Sequence, residues 1–263
     1  MTYETIRLDI DQRGITTVTL ARADKHNAMN AQMIRELTDA AAALAANAQI
    51  RAVILAAEGK SFCAGGDLGW MREQADKDRA GKMAEAGALA DMLGAWNALP
   101  KPVIARVQGP AYGGGLGLMA VADIVVAADT AKFALTETRL GLIPATIGPF
   151  VVAKLGPAFA RQVFFNAKPF GPDFALRSGL VARITELDDL DATVEEEAAA
   201  FLDCAPGAVA DAKALCRQLA GPDPAAQADM TANALADRWE TREAQAGIAA
   251  FFAKETPPWR KGG

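Results

Sequence analysis

Three short stretches hold residue types that could do chemistry: "FCAGGD" (62–67), "YGGGLG" (112–117) and "LTETRLG" (135–141). Glycine accepts positive φ and lets a ligand approach the main chain without a Cβ in the way. Where a glycine turn opens a helix, the first-turn N–H groups have no internal partner and carry the positive end of the helix dipole. Two such groups meeting at one oxygen form an oxyanion hole, and Gly66 and Gly114 are the candidates. The structural alternative for either turn is tight packing against a sheet. Asp67, directly after the first glycine pair, reads as a helix N-cap rather than as a catalytic acid. Glu137 stands among Phe133, Leu135, Leu140 and Leu142. In a cleft, desolvation would favour its protonated form and suit it to general acid/base work. On a surface it would pair with Arg139 instead.

Other chemistries lack their parts. The chain has one histidine, His26, and two serines, Ser61 and Ser178, so a Ser/His/Asp triad has few possible members. A zinc site would have to gather His26 with Cys63, Cys204 and Cys216, none of which forms a short-spaced ligand pair. "EGKS" (58–61) resembles the end of a phosphate-binding loop, but Ile54 stands where the first glycine is required. A formal charge of −5 with scattered Lys and Arg gives no footprint for nucleic acid. No apolar run is long enough to cross a membrane and no basic leader precedes one, so a cytoplasmic location is expected. Three well-separated cysteines suit a reducing compartment, with Cys63 expected to be a small buried hydrophobe.

The elements that must position these residues are legible as alternating periods. With 263 residues, 51% of them hydrophobic, the chain can bury a full core. Residues 3–11 and 14–20 read as paired strands, and Met29, Met33, Ile34 and Leu37 recur at helical spacing in the segment that follows. "RAVILAAEG", "KPVIARVQG" and "DIVVAAD" are further strands, residues 132–135 another, and one polar helical segment runs from "FCAGGDLGW" towards Leu99. Beyond about Gly171 strands nearly vanish, and Pro172, Pro206 and Pro222 each stand near the start of an alanine-rich helical stretch. The pattern predicts an α/β core of stacked βα units, residues 1–200, and a helical C-terminal region, residues 201–263.

Taken together, "DKHNAMN", "FCAGGDLGWM", "VQGPAYGGGLGL", "FALTETRLGLIP", "GLVARI" and "FFAKETPPW" resemble, in that order and across nearly the whole chain, the crotonase (enoyl-CoA hydratase/isomerase) superfamily. The resemblance implies a spiral of ββα units with a C-terminal helical region that builds homotrimers or hexamers. It assigns Gly66 and Gly114 to the thioester oxygen and Glu137 to proton transfer. It also places coenzyme A against Ala64, Asp67 and Leu68, with Lys25 and Ala28 in the covering loop and Lys254 near its phosphates. Coenzyme A is then part of an acyl-CoA substrate, and neither a metal nor a redox cofactor is implied. Family hydratases carry a second glutamate in the helix after the glycine triplet, where this chain has Gly117. A single acid fits either a hydratase in which Glu137 does both tasks or a 3,2-enoyl-CoA isomerase, and loss of chemistry altogether would leave a non-catalytic acyl-CoA binder. The details look most like the bacterial methylglutaconyl-CoA and carboxygeranoyl-CoA hydratases, whose substrates carry a distal carboxylate. Arg72 and Arg139 are the candidate partners for that group.

Overall fold

In the computed structural model, which describes residues 3–221, 224–257 and 259, the run Ala52–Ala57 is a strand buried at every position. A strand buried on both faces needs parallel neighbours and helical cover. The elements that supply them are, in order, β1 (Ile6–Ile10), β2 (Ile15–Leu20), α1 (Ala31–Ala46), β3 (Ala52–Ala57), α2 (Leu68–Asp76), α3 (Arg79–Ala98), β4 (Val103–Val107), β5 (Ala111–Tyr112) and α4 (Gly114–Val121). They continue with β6 (Ile124–Ala128), β7 (Phe133–Ala134), α5 (Gly148–Phe164), α6 (Pro172–Ser178), β8 (Arg183–Thr185), α7 (Leu190–Ala200), α8 (Pro206–Leu219), α9 (Ala228–Trp239) and α10 (Arg242–Ala253).

Among the described residues the main sheet has the order β1-β2-β3-β4-β6-β8, antiparallel at β1–β2 and parallel elsewhere. Alternate side chains of a strand point to opposite faces. Val53 and Leu55 of β3 accordingly join Met33, Leu37, Leu93 and Trp96 of α1 and α3 on one side. Ala52, Ile54 and Ala56 face Leu190 and Val194 of α7 on the other. β3 and β4 run parallel with Leu55 opposite Ala105, so the loops that follow them leave from one edge of the sheet. That edge is where open parallel sheets place their ligands. β5 and β7 form a separate parallel ladder just beyond it.

Several elements differ from the sequence reading. The segment running towards Leu99 is two helices, because Lys77 is extended and the Asp78 side chain accepts the Gly81 N–H at 2.8 Å, starting a new helix. The strand expected at 132–135 shortens to Phe133–Ala134. Pro172 and Pro206 do open α6 and α8, whereas Pro222 lies outside the described residues. The late region still contributes β8, which pairs with β6 at the sheet edge. Cys63 is fully buried. Among the described residues no helix is long and apolar enough to cross a membrane.

Candidate active site

The two glycine turns touch. Gly65 has φ +93°, and a Cβ placed on it would stand 3.1 Å from the Tyr112 carbonyl oxygen and 3.8 Å from Gly113 Cα. Gly113 has φ +46°, and its Cβ position lies 3.2 Å from Glu137 Oε1. Side chains at either position would hold the turns and the acid apart.

Backbone pairing fixes the assembly. The 24–30 loop runs beside the first turn: Met29 N–H donates to Gly65 O at 2.7 Å, and Asp67 N–H returns to Met29 O at 2.8 Å. Tyr112 N–H donates to Cys63 O at 2.9 Å, and Gly113 N–H to Ala134 O at 3.0 Å, tying the second turn to the first and to β7. No backbone acceptor among the described residues takes the N–H of Gly66 or of Gly114. Gly66, Gly114 and Glu137 line one cavity of about 140 Å³.

Glu137 opens a 3-10 turn, Glu137–Leu140, that closes through Gly141 at φ +75°. The turn is held from the C-terminal helices. A Cβ on Gly141 would lie 2.9 Å from Ala244 N, one on Gly247 would lie 2.7 Å from Leu140 O, and Arg238 Nη2 donates to Gly141 O at 2.6 Å. Glu137 Oε2 is buried with no hydrogen-bond partner. Burial raises the carboxyl to a pKa of about 7, against a smaller opposing hydrogen bond from its own backbone. The surface pairing with Arg139 is not formed: Arg139 is exposed, and no ion pair joins the two.

Gly117, at the position where the resemblance places a second acid, is buried. Its Cβ would meet Ile147 Cγ2 at 2.8 Å and Leu93 Cδ1 at 3.3 Å. Ile147 itself lines the cavity, so aliphatic volume fills the space in front of position 117.

None of the remaining predicted residues lines the cavity. Lys25 is exposed in the 3-10 turn Ala23–Lys25, and Ala28 is buried with its carbonyl accepting from Arg22 Nη1. Ala64 donates its N–H to His26 O at 3.0 Å. Asp67 caps α2 through Gly69 and Trp70 and pairs with Arg22 Nη2 at 2.9 Å. Burial alone would raise its pKa, but the hydrogen bonds from Arg22, Trp70 and Gly69 outweigh that and hold it below the usual range. Leu68 is 53% exposed beside the glycine pair, a large apolar side chain left in solvent. Lys254 ends α10 in the left-handed region and is exposed. Arg72 lies over the Phe252 ring, 4.2 Å from its centroid, and neither it nor Arg139 lines the cavity. The expectation that one of them faces the acyl chain is corrected: the polar lining comes from Gln74, Lys82, Glu85 and Thr146. Only Gln74 carried a trace in the sequence, at helical spacing from Trp70 and Met71.

Two main-chain N–H groups without a backbone acceptor and a carboxyl with a buried, unpartnered oxygen thus line one cavity, the parts that oxyanion stabilisation with proton transfer requires. Comparison with known proteins gives the family. Residues 11–262 match the family model for enoyl-CoA hydratase/isomerase. The chain is 35% identical over 211 residues to an enoyl-CoA hydratase of Alternaria alternata, an alignment covering 80% of this chain and 68% of that protein. It superposes on the crystal structure of an enoyl-CoA hydratase from Shewanella pealeana with TM-score 0.80 and 36% identity, covering 97% and 96% of the two chains. One from Mycobacterium avium gives TM-score 0.87 at 27% identity, covering 98% and 100%. The chain belongs to the enoyl-CoA hydratase/isomerase family, within the crotonase superfamily.

Proposed function

We propose that this enzyme adds water across the 2,3 double bond of an enoyl-CoA thioester, with Glu137 as its only acid/base. The observation that carries the reading is the buried, unpartnered Oε2 of Glu137 in the cavity that Gly66 and Gly114 also line. The thioester oxygen sits between the Gly66 and Gly114 N–H groups, which bind the enolate oxygen more strongly than the ground-state carbonyl. Ionised Glu137 takes a proton from water as the oxygen of that water bonds to C3 and electrons move to the thioester oxygen. The same carboxyl then returns the proton to C2, leaving the 3-hydroxyacyl thioester.

The loop residues Lys25, Ala28, Ala64, Asp67 and Leu68, with Lys254, hold the coenzyme A portion. The acyl group is branched or carboxylated, as in methylglutaconyl-CoA. The protein works as a homotrimer or hexamer in the cytoplasm and needs no further cofactor. One observation favours a second reading. With Ile147 closing the approach to position 117 and Glu85 engaged by Lys77 and Trp70, Glu137 is left as the one acid for proton transfer, which suffices for a 3,2-enoyl-CoA isomerase. Absorbance of the conjugated enoyl thioester decides between them. Its loss on mixing with enzyme is hydration, its appearance from a 3-enoyl thioester is isomerisation, and no change with either substrate defeats both.

A further inference from the structure

Beyond Glu137, one side chain in the cavity is left without partners. Gln74 is 5% exposed, and both its Oε1 and Nε2 are buried with no hydrogen bond. An amide buried in this way costs free energy unless a bound molecule completes it. Nothing in the proposed proton transfer uses it.

Its place in the fold says which part of a substrate it meets. α2 starts directly after Gly66 and sends Trp70, Met71 and Gln74 to the cavity from one face. Gln74 is six residues past the start of α2, about 9 Å along its axis. It therefore serves the acyl chain away from the thioester. Across from it, α3 presents Lys82, Glu85 and Leu89 at helical spacing. Glu85 is already engaged: its carboxylate accepts from Lys77 Nζ and, at 3.1 Å, from Trp70 Nε1. Lys82 forms no ion pair with any described residue, and its ammonium lies 6.0 Å from the Trp239 ring centroid. Among the described residues the distal end of the cavity thus holds an amide without hydrogen bonds and a cation without an ion pair, while Glu85 is taken by Lys77 and Glu240, which shares a second pocket with Lys82, by Arg79.

We infer that Gln74 and Lys82 form the specificity site of this enzyme and select acyl chains that end in a carboxylate. The amide donates through Nε2 to one carboxylate oxygen while the ammonium supplies the opposite charge. A plain hydrocarbon chain leaves the amide unpaired, and discrimination comes from that penalty as much as from the new contacts. The assignment rests on the acyl-CoA reading of the cavity, but it concerns binding and can be tested without turnover.

The test is calorimetric binding of two unreactive thioesters of equal chain length, glutaryl-CoA and pentanoyl-CoA, to wild-type enzyme, Gln74→Leu and Lys82→Met. Wild type should bind glutaryl-CoA about tenfold more tightly, the scale of one hydrogen bond to a charged group. Each substitution should bring the ratio close to one. Equal affinities in the wild type, or an unaltered ratio in the folded Lys82→Met protein, would overturn the assignment. An unfolded variant would bind neither thioester, so the ratio carries its own control. Failure of both thioesters to bind folded wild-type enzyme would instead refute the acyl-CoA reading itself.

Discussion

Position 137 lines the cavity and position 117 lies behind its lining residue Ile147, and the two differ in what surrounds them. Gly117 carries no side chain, and Ile147 and Leu93 occupy the space one would enter. At 137 the acid is kept, buried and without a partner for Oε2. Apolar side chains fill the approach to position 117, so a glutamate placed there would meet a packed wall rather than an open site. The retained acid meanwhile bears a burial penalty that only a protonated form, water or substrate relieves.

The contrast is broken most severely by Glu137→Gln. Loss of general acid/base catalysis should lower kcat by about 10²–10⁴-fold, measured by enoyl absorbance, with acyl-CoA affinity retained. The same substitution should stabilise the fold. The folded carboxyl titrates at about 7 against 4.5 for an unperturbed glutamate, so its ionisation penalty grows above pH 4.5 and is complete above 7. Denaturant unfolding should show Glu137→Gln more stable by up to about 3 kcal/mol at pH 8, with the difference vanishing towards pH 4.

Next in size is Gly114→Val. A Cβ there would fall 2.0 Å from Met29 Cε, so the methionine tip must move aside and the branched side chain crowds the oxygen in front of the N–H. Removal of one oxyanion donor costs about 3–4 kcal/mol of transition-state stabilisation, and kcat for both hydration and isomerisation should fall together. Gly117→Glu sharpens the comparison from the other wall. It should destabilise the fold by about 1–3 kcal/mol through overpacking and should not raise the hydration rate, as denaturation and kinetics on the same preparation will show. The smallest effect belongs to the frame. Asp67→Ala removes the α2 cap and should lower stability by about 1 kcal/mol, read from the denaturation midpoint.

Much of this is legible in the sequence, for local reasons. "CAGGD" and "YGGG" announce turns that only glycine permits, and Gly65 and Gly113 do take positive φ. Asp67 beside a helix start is a cap by spacing alone, and it caps α2. What stays hidden depends on packing between segments far apart in the chain. Gln74 and Lys82 belong to helices that read as a single polar stretch, and beyond the helical spacing of Gln74 from Trp70 nothing in the sequence turns either towards a cavity. The grip of Arg238, Ala244 and Gly247 on the catalytic turn joins residues about 100 positions apart. Arg72 reads as available to an acyl chain until the fold brings Phe252 beneath it.

The central claim is that one buried carboxyl performs the proton transfers of this site, and the pH dependence of kcat/KM for hydration of an enoyl-CoA tests it most directly. Ionised Glu137 is the active form, so the account predicts a rate that climbs with pH through a single transition at about 7 and then levels off. A rate that stays constant across that range, or that falls as the pH rises through 7, would contradict it.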